Sequence, residues 1–282
     1  MNENVKKDRI RTGVFLRRYG RIIVGAAVLL ALVLAALCAP LIATHDPAKI
    51  DAYNVKQYPS REHLMGTDQY GRDIFSRVVY GTRISLLVGV AVAFFSALFG
   101  VILGLLMGYY RRVDAVVMRI LEGISAFPSM LLAMTLAAVL GSGVDKVIAA
   151  ITIVSVPDVA KIVRSQVLSI RESEHVVSAR AIGAHDGRIV FRYILPLCMS
   201  PLIIRVTSSM ASAILTEASL SFLGVGVSPA VPTWGSVLSE ARTLVIAYPF
   251  MAIYPGLAII ITVLSISILG DGLRDVLDPK LK

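Results

Sequence analysis

The chain has 282 residues, of which 56% are hydrophobic and 17% charged, and its mean hydropathy is +0.75, whereas a soluble domain is roughly 45–50% apolar and about 25% charged. That balance excludes an ordinary soluble domain, a disordered chain and a collagen-like one. The net charge of +9 would suggest nucleic acid as a partner in a soluble protein, but a membrane protein acquires such an excess by holding Lys and Arg in the loops of one face.

The first apolar block, Ile22 to Ala43, carries no charge and supplies the about 20 helical residues that a hydrocarbon layer about 30 Å thick requires. It is longer than the roughly 7–15 apolar residues of a signal peptide, and Leu37 rather than a small residue precedes Cys38, so an uncleaved anchor is expected. Cys38 and Cys198 stand far apart without CxxC spacing, which predicts free apolar cysteines. From Thr44 to Arg83 the chain turns polar and contains Gly66-Thr67-Asp68-Gln69-Tyr70-Gly71-Arg72-Asp73. The two glycines mimic a phosphate-binding loop, but Arg72 and Asp73 stand where that loop needs Lys and a hydroxyl residue, and a carboxylate there repels phosphate. No nucleotide site is expected.

A second span runs from Ile84 to Tyr110 and ends at Arg111 and Arg112. Within it Ser96, Gly100, Gly104 and Gly108 recur every fourth residue, which places them on one helix face as a packing seam. A third span, Val116 to Leu140, starts near Arg119 and Glu122 and should kink at Pro128. The fourth, Val147 to Val163, is interrupted by Pro157 and Asp158. The fifth, Leu197 to Phe222, carries Arg205 and Glu217, and the sixth, Pro249 to Leu269, is uncharged. Charges inside spans cost about 2.5–3.5 kcal/mol each on insertion scales, so Asp158, Arg205 and Glu217 should face protein or water, either lining a translocation route or, alternatively, pairing with neighbouring helices or snorkelling. Arg205 and Glu217 lie about 18 Å apart along one helix and out of register, so they do not pair with each other.

Six spans put both termini on one side of the membrane. With that side inside, the inner segments hold eighteen Lys and Arg and the outer ones eight, which places the termini in the cytoplasm. The inner segment from Arg164 to Pro196 carries the functional expectation. Small helix formers precede Gly183, and apolar residues at Ile189, Val190, Tyr193 and Ile194 follow at helical spacing. Gly183 suits a positive-φ turn between two short helices. Such a knob docks onto a partner, whereas an amphipathic helix lying on the bilayer accounts for the second half alone. The histidines, His45 and His63 outside and His175 and His185 inside, show no metal-ligand repeat, so no catalytic, cofactor-binding or metal residues are expected.

The inner segment resembles the coupling loop of permease subunits of binding-protein-dependent ABC importers. Ser178, Ala179, Gly183 and Pro196 match the pattern, with Val177 where that family often has glutamate. Leu64 to Arg77, Ser221 to Gly226 with Pro232 to Gly235, and Leu269 to Asp275 with Leu277 to Pro279 are similar to the second permease of dipeptide, oligopeptide, nickel and glutathione importers. The resemblance implies an all-α integral membrane protein of six transmembrane helices with type I ABC importer permease architecture. Residues 1–83 would form a cytoplasmic arm, first helix and extracytoplasmic segment, 84–275 a five-helix core with a coupling loop at about 172–192, and 276–282 a cytoplasmic tail. The ATPase-facing residues would be Ser178, Ala179, Arg180, Ala181, Ile182, Gly183, Ala184 and His185, with Pro196. Implied partners are a homologous second permease, two ATPase subunits holding ATP and Mg, an extracytoplasmic binding protein and the lipid bilayer of a bacterial cytoplasmic membrane. Nucleic acid is not among them. Peptides are the expected solute, with nickel chelates or glutathione as alternatives. An ion-coupled secondary transporter using Asp158 or Glu217 is the competing class, and a structural membrane scaffold a third.

Overall fold

The computed structural model describes residue 20 and residues 22–277. The expected basic arm before Ile22 and the Asp278–Pro279 end of the last motif lie outside the described residues. Within them the architecture is helical, and extended pairing is limited to one bridge between Thr67 and Asp73. The order is α1 (Ile22–Leu37), α2 (Ala39–Ile42), α3 (Ile74–Tyr109), α4 (Arg111–Ser125), α5 (Ser129–Leu140), α6 (Val144–Ile170), α7 (Glu174–Ala181), α8 (Asp186–Phe222), α9 (Trp234–Ala241) and α10 (Phe250–Leu277). By length and composition α3, α8 and α10 are each able to cross a membrane, and the bent pair α4–α5 is a fourth candidate. The apolar helix α1 is shorter, and α6 spans 27 residues but carries Asp158, Lys161 and Arg164.

Several boundaries differ from the expectations. The third span is two helices meeting at 90°. Pro128 has φ −54° and ψ 123°, and its ring drives Phe127 out of helical register, so the chain breaks there. The fourth span is not interrupted, because α6 runs straight through Pro157. Asp73 caps α3 by accepting from the Ser76 N–H at 2.8 Å, so this helix starts before Ile84 and takes in Arg77 and Arg83. Its 36 residues extend about 54 Å, well beyond the hydrocarbon layer. The second short helix expected after Gly183 is continuous with the fifth span. A π turn over Ile189–Ile194 shifts the hydrogen-bond register just before Pro196, whose nitrogen has no hydrogen to donate.

Helix α3 is the centre of the molecule, packed against α6 and α8. Gly100, Gly104 and Gly108 face Val159, Val163 and Val167 of α6, all three valines being buried. A Cβ at Gly100 would sit 2.5 Å from the Val159 Cβ, one at Gly104 would sit 2.6 Å from the Val163 Cβ, and one at Gly108 would collide with Val167. The four-residue period of each helix thus sets valine ridges into a glycine groove. Ser96 continues the seam, buried and bonded to the Ala93 carbonyl at 3.2 Å. Adding a methyl group here requires the helices to separate, so Gly104→Ala is expected to cost about 1–3 kcal/mol. A thermal melt of the purified chain in detergent, with Gly123→Ala as control because nothing lies within 4 Å of its Cβ position, checks this.

Candidate functional site

The segment from Glu174 to His185 forms a compact projection. Helix α7 buries Val176 and Ala179 against the π turn, where Ile189 and Ile194 are fully buried. It closes in a Schellman motif: the Ala184 N–H donates to the Ala179 carbonyl and the Gly183 N–H to the Arg180 carbonyl, each at 3.0 Å, with Gly183 at φ +85°. His185 then caps α8 through backbone conformation alone. The turn leaves Ser178, Arg180, Ala181, Gly183 and His185 exposed and Ala184 half-buried. It also presents Ile182 at 83%, Phe191 at 68% and Val177 at 50% exposure. Pro196 is exposed and lies inside α8, away from the turn.

Two contacts tie this projection to the end of the glycine seam. Asp186 accepts from the Tyr109 hydroxyl at 2.6 Å and from the Tyr110 hydroxyl at 3.4 Å. The Arg171 guanidinium donates to the Gly108 carbonyl at 3.1 Å. These contacts join the base of the turn to the last residues of α3. The sequence reading missed these anchors; an acidic residue in the first turn of α8 and a tyrosine pair at the end of α3 were the available signals.

The three charges within spans separate into two environments. Arg205 donates to Asp158 at 2.5 Å across α8 and α6, with the two side chains 32% and 60% exposed. Glu217 is fully buried, accepting from the hydroxyls of Ser221 and Thr233 at 2.9 Å and lying 3.5 Å from that of Ser85. It joins α8, α3 and the start of α9.

The amino-acid sequence itself matches known proteins over nearly the whole chain. Residues 96–282 match the family model described as the binding-protein-dependent transport system inner membrane component. The chain belongs to that family. Residues 16–59 match the N-terminal transmembrane domain of oligopeptide transport permease C. A putative peptide transport system permease protein of Brucella abortus is 43% identical over 98% of this chain and 94% of its own length. The dipeptide transport system permease protein DppC of Alkalihalophilus pseudofirmus is 43% identical over 92% of this chain and 86% of its own. The glutathione transport system permease protein GsiD of Escherichia coli is 44% identical over 99% and 94%.

The chain is thus an all-α membrane permease, and the Leu64–Arg77, Ser221–Gly226 and Pro232–Gly235 motifs have structural work at the end of α3 remote from the Gly183 turn. Gly224, at φ +84°, ends α8 in a second Schellman motif, with the Val225 N–H on the Leu220 carbonyl and the Gly224 N–H on that of Ser221 at 3.0 Å. The chain folds back, Thr233 and Ser236 form a capping box, and α9 packs against α8, α10 and α3. Trp234 is fully buried, its indole N–H donating to the Val78 carbonyl at 3.1 Å. Gly66 and Gly71 take positive φ and turn the Gly66 to Asp73 stretch so that Arg72 reaches Asp68 at 2.7 Å and Glu240 at 2.5 Å. Arg77, with no exposed surface, reaches Glu240 at 3.2 Å. Burial pushes the Glu240 carboxyl above its ordinary range, and the guanidinium groups of Arg77 and Arg72 pull it back in part. The glycine-bearing motif that mimics a phosphate loop therefore serves a buried ion network.

Proposed function

We propose that the chain is one of two homologous permeases of an ATP-driven importer for di- or oligopeptides, forming half of the translocation pathway. The observation that carries this reading is the exposed apolar surface of Val177, Ile182 and Phe191 around the Gly183 turn. Exposed apolar side chains gathered near one turn of a polar, arginine-bearing loop are the kind of surface that a protein cleft covers. Two ATPase subunits would hold ATP and Mg and receive the turn, and an extracytoplasmic binding protein would deliver solute at the opposite end. This chain itself would carry neither nucleotide nor catalytic site. The excess of Lys and Arg on the turn's side supports cytoplasmic termini in a bacterial cytoplasmic membrane.

Closure of the ATPases would push the turn. Asp186 and Arg171 would carry that motion to α3, and the Gly–Val seam would carry it to α6, where Asp158 pairs with Arg205. That pair, whose Arg205 Nε is buried without a partner among the described residues, would meet the charged termini of a peptide in the pathway. The relatives named for peptides and dipeptides support this solute class, and the one named for glutathione, itself a tripeptide, is consistent with it. An ion-coupled mechanism is less well supported, since Asp158 is neutralised by Arg205 and Glu217 is enclosed by hydroxyl groups.

The test is purification of the tagged chain in mild detergent from its native membrane. Co-purification of a second permease and ATPases is expected, with ATP hydrolysis raised by a peptide-loaded binding protein. A single chain that moves solute without ATP would overturn the reading, and stimulation by glutathione but by no other peptide would correct the solute.

A further inference from the structure

Beside the cap of α3, the fold assembles donors that are far apart in the chain. His45 follows α2, whereas Glu62 and His63 lie in the long segment before α3. One ligand atom from each of His45, Glu62 and His63 lies within 4.8 Å of the others, and the imidazole rings are 4.7 Å apart, tilted by 32°. His63 is buried, His45 half-buried and Glu62 exposed. The His63 Nδ1 lies 2.9 Å from Asp73 Oδ1, and the same carboxylate accepts from the Ser76 N–H through Oδ2.

A carboxylate offers only acceptors, so Nδ1 of His63 carries the proton and Nε2 presents its lone pair. A carboxylate behind a ligating imidazole is the usual support of a metal ligand. The His45 backbone N–H is held by the Ser76 hydroxyl at 3.0 Å, which anchors the second imidazole on the same helix turn. The donors border a cavity of about 110 Å³, with Asp46 and Asp51 as further oxygen sources and Lys49 as one opposing charge. This volume admits a water molecule in a fourth coordination position.

We propose that His45, Glu62 and His63 bind a divalent transition-metal ion, zinc by preference, with Asp73 positioning His63. Two imidazoles and one carboxylate with an open position suit zinc, whereas calcium and magnesium select oxygen donors. Ligand distances of about 2.0–2.2 Å require the donors to draw together, and the exposed Glu62 has the freedom to do so. The ion would clamp the beginning of the polar segment between α2 and α3 to its middle, beside the Asp73 cap of α3, independently of which solute the permease carries.

The full chain, purified in detergent with a tag free of histidine and stripped with a chelator, is titrated with Zn²⁺ by calorimetry and with Co²⁺ by visible absorption. One ion per chain and cobalt bands of a nitrogen and oxygen site are expected. His45→Ala and Glu62→Gln should each weaken zinc binding about tenfold or more, and Asp73→Asn, which still caps the helix, about 10–100-fold. Because Glu62 is exposed, Glu62→Gln should leave the zinc-free thermal transition unchanged. Absence of saturable binding to the parent chain, or binding unaltered in both His45→Ala and Glu62→Gln, would overturn the site.

Discussion

Replacement of Gly183 by glutamate is expected to reduce solute uptake to background while the chain still inserts and accumulates in the membrane. Nothing lies within 4 Å of a Cβ at this position, so the new side chain meets no core atom. The local penalty is that of a left-handed backbone, about 1–2 kcal/mol, spent at an exposed turn. The carboxylate then projects beside Ile182 and Val177, the apolar surface proposed to enter the ATPase cleft, where an unpaired charge is strongly unfavourable. Gly183→Asn separates the two effects, since asparagine tolerates positive φ and carries no charge, and it should retain most of the uptake. The measurement is labelled dipeptide uptake by cells expressing the whole transporter, together with ATP hydrolysis by the purified complex. Normal uptake by Gly183→Glu would remove the turn from the coupling mechanism.

Glu240→Ala is expected to destabilise the chain by about 3–5 kcal/mol, the cost of leaving buried guanidinium groups without their counter-charge. Arg77 has no exposed surface and Arg72 almost none, and both reach Glu240. Asp68 retains Arg72 at 2.7 Å but lies 3.8 Å from Arg77, so Arg77 bears most of the loss. Because Glu240 joins α9 to the start of α3, the effect should extend beyond one side chain. Protease sensitivity of the loop between α8 and α9 should rise along with a lower thermal transition. A thermal midpoint within the scatter of parent preparations would show that the network is not what holds α9 in place.

The two variants probe opposite ends of α3, and they differ in how far the sequence foretold them. Gly183 was legible because a glycine between small helix formers and an amphipathic stretch has few local explanations other than a positive-φ turn, and its Schellman bonds are made within the loop itself. The seam of Gly100, Gly104 and Gly108 was equally legible as a stripe, because the helical period alone puts these residues on one face. Its partner, the Val159, Val163 and Val167 ridge, was not, since apolar β-branched residues have many possible neighbours. Pro128 and Pro157 show the same limit: both interrupt apolar runs, yet only the first breaks its helix. Context decides whether a proline's lost hydrogen bond is compensated.

Charged residues illustrate it most clearly. Composition and the uncharged blocks by themselves determined that this is a helical membrane protein, because insertion energy depends on local composition. Only the tertiary structure decided that Asp158 neutralises Arg205, that Glu217 is enclosed by hydroxyl groups, that Arg77 and Arg72 converge on Glu240, and that His45 meets Glu62 and His63. The physical reason is range. A helix period or a glycine turn is written within a few consecutive residues, whereas the partner of a buried charge is supplied by whichever distant segment the packing brings to it.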